Sequence, residues 1–150
     1  MGKNTANAEQ KADLGRLSAS EIQRVQASFG RALWDLEFLD KFYAIFLDSH
    51  PDIRDKFVNT DFAKQKGLLR HGLMSVLMFA EGQPSARSCL ERIRASHARG
   101  NLGISPDLYS YWIDSLMKAV AKSDPEFDLS LEVDWRKVIT PAIEFIKSGY

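Results

Sequence analysis

The chain has 150 residues, 45% hydrophobic and 27% charged, which is the composition of an ordinary globular domain. Lys plus Arg equals Asp plus Glu at 20 each, so the basic excess expected of a nucleic-acid binder is missing. The one cysteine, Cys89, excludes an internal disulfide framework, and no run approaches the roughly 20 apolar residues of a membrane span.

That length suits one domain, large enough to bury roughly 70% of its unfolded surface. Residues 1–16 are polar and lack the apolar core of a secretory signal. They are expected to form a mobile arm ahead of a domain over 17–150, and the cytoplasm is the expected compartment.

The first helix start is Ser18-Ala19-Ser20-Glu21, where Ser18 and Glu21 have capping-box spacing. Leu17 and Ile22 are placed to form the hydrophobic staple around it. Ile22, Val25, Phe29 and Leu33 then recur at three- and four-residue intervals, the mark of one buried helical stripe. A second helix carries Leu39, Phe42, Tyr43, Phe46 and Leu47 and should end near Ser49-His50-Pro51, because proline disfavours helical geometry in the residue before it. Pro51 opens a short helix toward Phe57, with His50 read as a loop residue and Val58 to Asp61 as a loop.

The longest helix is expected from Asp61 to Glu81. Phe62, Leu69, Leu73, Val76, Leu77 and Ala80 share one face, which Gln65 interrupts. Gly82-Gln83-Pro84-Ser85 breaks it, and a helix from Ala86 to Ala98 aligns Leu90, Ile93 and His97. Gly100 to Ile104 is a turn. Ser105-Pro106-Asp107 supplies a cap, a first-position proline and an acid, so a helix should follow directly, burying Tyr109, Trp112, Ile113, Leu116, Met117 and Val120. Ser123-Asp124-Pro125 stops it. A last helix from near Ser130 carries Trp135, Val138, Ile139, Ala142, Ile143 and Ile146, with Pro141 inside it as an expected kink. No strand-like alternation occurs, so the fold class is all-α, with six or seven helices.

Candidate chemistry is sparse. No nucleophile elbow, Walker loop, dinucleotide fingerprint or HExxH motif occurs, and the three histidines have no zinc-like spacing. Cys89 and His97 would sit about 12 Å apart along one helix, too far to act as a pair. For a lone histidine on an apolar face, a satisfied core residue is the commoner reading. Three features weigh against it here. His97 follows Leu90 and Ile93 in register. Gln65 interrupts an apolar stripe at an energetic cost unless it finds a partner. Tyr43 lies among Phe38, Phe42, Phe46 and Phe57. His71, six residues after Gln65, is read as a surface or core residue off the face of Gln65, and Lys66 and Arg70 as a solvated face of the longest helix.

Three blocks carry a resemblance by their order and spacing together. They are Phe42-Tyr43 with His50-Pro51 and Phe57; Asp61-Phe62-Ala63-Lys64-Gln65 with Leu69; and His97 followed by Ile104-Ser105-Pro106-Asp107-Leu108-Tyr109. In these the chain resembles the globin family, specifically bacterial single-domain haemoglobins and the haem domain of flavohaemoglobins, from Leu17 to Ile146. The resemblance implies a globin-like fold around a pocket for haem b, iron protoporphyrin IX. His97 matches the proximal iron ligand, with its other ring nitrogen donating to a backbone carbonyl or a nearby side chain. Phe57 matches the phenylalanine that packs on the haem face, and Leu69 the apolar residue over the iron. Tyr43 and Gln65 match the distal polar pair, Gln65 either facing the ligand or approaching the iron itself. Ile93, Ile104 and Tyr109 complete the implied pocket.

The implied function is reversible binding of a small diatomic ligand, such as oxygen, nitric oxide or carbon monoxide. Two other functions are compatible with the resemblance: nitric oxide dioxygenation with a separate reductase, and a haem-based sensor or regulator. Flavohaemoglobins pair the tyrosine matched by Tyr109 with a late glutamate, which has no counterpart before Tyr150, and no flavin reductase follows. These two differences favour an expectation of ligand binding, as in oxygen transport, over self-contained catalysis.

Overall fold

The computed structural model describes residues 17–150, and the arm expected over 1–16 lies outside them. Among the described residues there are seven α-helices and no strand: α1 (Ala19–Trp34), α2 (Phe38–Ser49), α3 (Pro51–Lys56), α4 (Phe62–Ala80), α5 (Pro84–His97), α6 (Tyr109–Ser123) and α7 (Leu129–Lys147). The all-α expectation of six or seven helices is met. No helix among the described residues is long and apolar enough to cross a membrane.

Local chemistry sets most of the helix ends. Ser18 Oγ accepts the Glu21 amide at 3.1 Å, and the Glu21 carboxylate accepts the Ser18 amide at 3.3 Å, closing the capping box of α1. Asp61 caps α4 by accepting the amides of Ala63 and Lys64. We expect Asp61→Ala to lower stability by about 1 kcal/mol, read as a fall in the urea midpoint; an unmoved midpoint would remove this cap from the account.

The structure corrects three sequence expectations at helix ends. His50 is more than a loop residue: it is extended (φ −160°), its Nδ1 accepts the Asp52 amide at 3.1 Å, and it thereby caps α3. Helix α5 begins at Pro84 rather than Ala86, because Gly82 (φ +79°) completes the turn and leaves the proline in the first helical position. Ser105 makes no side-chain cap bond. The backbone instead takes a 3₁₀ turn over Pro106–Leu108, and α6 begins only at Tyr109. Helix α7 starts at Leu129, beside the expected Ser130, where Asp128 accepts the Leu131 amide at 2.8 Å. It then runs unbroken past Pro141, which sits at an exposed position where a carbonyl deprived of its amide partner meets water.

The core lies where α1, α2, α4, α6 and α7 meet, around Phe29, Phe42, Leu73, Leu116, Val138 and Ile139, with Trp135 fully buried among them. The Trp135 indole donates to Ser28 Oγ at 2.9 Å, and Ser28 donates onward to the buried Asp124 carboxylate at 2.6 Å. This polar chain joins α1, α7 and the α6–α7 turn inside the apolar core. Helix α4 is packed unevenly along its length. Leu73, Val76 and Leu77 in its second half are buried, whereas Phe62, Gln65 and Leu69 in its first half stay partly exposed. The partly exposed half is where the candidate site lies.

Candidate functional site

His97 is the last residue of α5, one turn beyond Ile93, and is half-buried. Its Nδ1 lies 2.8 Å from the Ile93 carbonyl oxygen. A carbonyl only accepts, so Nδ1 carries the proton and donates, leaving Nε2 with a free lone pair. Ser96 Oγ donates to the same carbonyl at 2.9 Å and stands 3.0 Å from Nδ1, which fixes the ring further. Burial lowers the His97 pKa, and the bond to Ile93 offsets only part of that, so the imidazole is held neutral. The His97 carbonyl accepts the Ile104 amide at 3.0 Å, which binds the next turn to the site. Gly103, at φ +62°, gives that turn the left-handed step it needs, and Lys56 Nζ at the end of α3 donates to the Leu102 carbonyl at 3.0 Å.

Tyr43 is buried on α2 within an aromatic cage. Its ring meets those of Phe42 at 5.1 Å, Phe62 at 5.3 Å and Phe57 at 5.9 Å, all edge-on. Burial raises the Tyr43 pKa, and interaction with the Gln65 side chain only partly opposes this, so the phenol stays protonated and able to donate. Leu69 is partly buried one turn further along α4. Tyr109 is buried at the start of α6 with its ring 6.5 Å from that of His97, and burial pushes its phenol up to about 12.

A circuit of contacts links these helices. His97 joins Tyr109 from α5 to α6, and Trp112 joins Phe42 at 6.0 Å from α6 back to α2. Tyr43, Phe57 and Phe62 carry it through the end of α3 into α4. There Gly72 faces the Ile93 side chain, so that a Cβ at this position would lie 3.9 Å from Ile93 Cδ1, and the circuit closes on α5. Six of the eight expected site residues, namely Phe57, Gln65, Leu69, Ile93, His97 and Ile104, are partly exposed along this circuit, while Tyr43 and Tyr109 are buried in its walls. Phe42 and Gly72 were not singled out from the sequence as site residues, and neither were Phe62 and Trp112. Their signal was present, since Phe62 opens α4 and Trp112 lies three residues from Tyr109.

The other histidines stand apart in their roles. His71 is exposed on the outer side of α4, as expected, and His50 packs on Tyr111 with ring centroids 5.0 Å apart. Lys66 is paired with Asp40 at 2.9 Å and Arg70 is exposed. Among the described residues no three His, Cys, Asp or Glu side chains gather into a metal-holding group. The donor set is one neutral imidazole nitrogen beside apolar and aromatic walls. That fits a metal whose remaining equatorial ligands come from a flat apolar macrocycle, as in haem.

The fold and this site define a helical protein of the globin type. No family profile and no curated protein matches the chain. Among solved structures it is similar to PA3967 from Pseudomonas aeruginosa PAO1, described as structurally highly homologous to a human haemoglobin. The two are 43% identical with a TM-score of 0.83, over 87% of this chain and 98% of that one. The chain belongs to the globin family, and its likeness is to a bacterial member.

Proposed function

We propose that residues 17–150 form a globin domain that holds haem b through His97 and reversibly binds oxygen or a related diatomic ligand such as nitric oxide or carbon monoxide, in the cytoplasm. The observation that carries this reading is the His97 ring, pinned through Nδ1 to the Ile93 carbonyl at 2.8 Å with Nε2 left free and neutral. When bound, the haem supplies the iron centre at which a diatomic molecule is held and released.

The chain's own residues do the rest. His97 Nε2 would hold the iron, with the Nδ1 bond to Ile93 fixing the tautomer and the ring plane. Phe57 would pack against the haem, while Leu69, Ile93, Ile104 and Tyr109 would keep water from it. Tyr43 and Gln65 would donate hydrogen bonds to a polar diatomic ligand.

A hydrogen bond to a charged group contributes about 1.5–3 kcal/mol, and each 1.4 kcal/mol is a factor of about ten. Tyr43→Phe is therefore expected to speed oxygen release by roughly ten- to a hundredfold, measured by stopped-flow displacement; an unchanged rate removes Tyr43 from this role. The reading as a whole is tested by titrating purified protein with haemin. One equivalent should produce a Soret band, and a protein that takes up no haemin is no haem globin.

A further inference from the structure

The outer side of α4 carries a second, unpartnered pattern. Lys64, Gly67, His71, Met74, Met78 and Glu81 are all exposed, and they are spaced three, four, three, four and three residues apart. That is the seam of a coiled coil, on the face opposite Leu69, Leu73, Val76 and Leu77. Its apolar centre is open to solvent, with Met74 47% and Met78 37% exposed and Leu68 on its flank 56% exposed. A Cβ built at Gly67 would have no atom within 4 Å, so the seam has a gap near one end. Glu81, which caps the other end, is exposed while accepting bonds from Gln26 and Gln83.

We propose that this seam is the docking surface for a second copy of the same chain, with the two α4 helices antiparallel about a two-fold axis between His71 and Met74. In that arrangement Lys64 meets Glu81 of the second copy, the gap at Gly67 receives Met78, and His71 packs on Met74. Every layer is then complementary in charge or in size, and the two-fold axis repeats each layer once. A parallel pair would instead set Lys64 against Lys64, Glu81 against Glu81 and one gap against another, so the pattern selects direction as well as partner. Methionine suits such a seam, because its flexible, polarisable side chain fills an irregular gap. One helix per copy covers less than the roughly 800 Å² per partner of a standard stable interface, so the dimer is weak and forms with rising concentration.

The experiment is sedimentation equilibrium on the full chain from about 10 μM to about 1 mM, a range that brackets weak association. The mass should rise from 17.0 kDa toward twice that value. Met74→Glu with Met78→Glu should hold it at the monomer. Lys64→Glu and Glu81→Lys should each weaken the dimer by about tenfold, since each symmetric interface contains two of these pairs. The two reversals together should restore it. Far-ultraviolet circular dichroism of each variant confirms the fold, all four positions being exposed. A monomer at every concentration overturns the proposal. So does a dimer indifferent to the methionine substitutions, or one that the double charge reversal fails to restore.

Discussion

His97→Ala should abolish most of the Soret absorption of the haem-loaded protein while leaving the helical fold in place. The imidazole presents a free Nε2 in the circuit, so under the proposed function its removal would take away the protein's bond to the iron. Loss of an outer partner of a metal ligand typically lowers affinity or activity by roughly 10- to 100-fold, and loss of the ligand itself should exceed that. The fold should survive because His97 is only half-buried and closes α5, so alanine there leaves no cavity in the core. Haemin titration together with circular dichroism separates the two effects. Unchanged haemin affinity would move the ligand to another residue, and loss of helicity would make His97 a structural residue instead. Free imidazole added to the variant should restore part of the band, which a purely structural role would not predict.

Asp124→Ala should be the most destabilising polar substitution in the core. The Asp124 side chain is fully buried, and its carboxylate accepts from Ser28 at 2.6 Å, from Arg31 Nε at 2.7 Å and from the Glu126 amide at 3.0 Å. Alanine leaves all three donors without their acceptor and cuts the chain that runs through Ser28 to Trp135. Breaking a buried pair from one side costs about 3–5 kcal/mol; because Arg31 is 31% exposed, we expect the lower end, about 3 kcal/mol, read from urea unfolding.

The same carboxylate gives a pH dependence. Burial by itself would raise the Asp124 pKa, but Arg31, Ser28 and the Glu126 amide together outweigh that and leave it lowered. Asp35 is lowered to about 2 by Lys41, the Glu37 amide and Ser123. A carboxylate with a depressed folded pKa adds stability that is complete above its unfolded value, near 3.9, and is lost as pH falls through the folded value. Stability should therefore fall between about pH 4 and pH 2, and Asp124→Asn should flatten that fall. An equal slope in wild type and variant would show that Asp124 does not contribute to it.

Features that depend on neighbouring residues were legible in the sequence. The Ser18–Glu21 box and the stop before Pro51 each involve residues at most three positions apart, and the structure has them as expected. The errors at His50, Pro84 and Ser105 are local as well, but they turn on competition between alternative cap geometries. The Ser105 hydroxyl, for example, yields to a backbone 3₁₀ bond from Leu108 to its carbonyl at 3.0 Å. For the second ring nitrogen of His97 the globin resemblance implied a backbone carbonyl or a nearby side chain as partner, and the structure has the Ile93 carbonyl, four residues back on the same helix.

Sequence by itself therefore determined the helices, the buried side of each, and the short list of polar residues set into apolar faces. Tertiary structure alone decided what those faces meet. The chain from Trp135 through Ser28 to Asp124 bridges separations of 107 and 96 residues, and no period in the sequence encodes such a pairing. The same holds for Phe62 and Trp112 beside the site, and for the exposure of Met74 and Met78 on the outer side of α4. Helical periodicity follows from backbone geometry, which every residue shares, whereas partner choice follows from the docking of whole helices. The circuit of contacts beside His97 belongs to that second class.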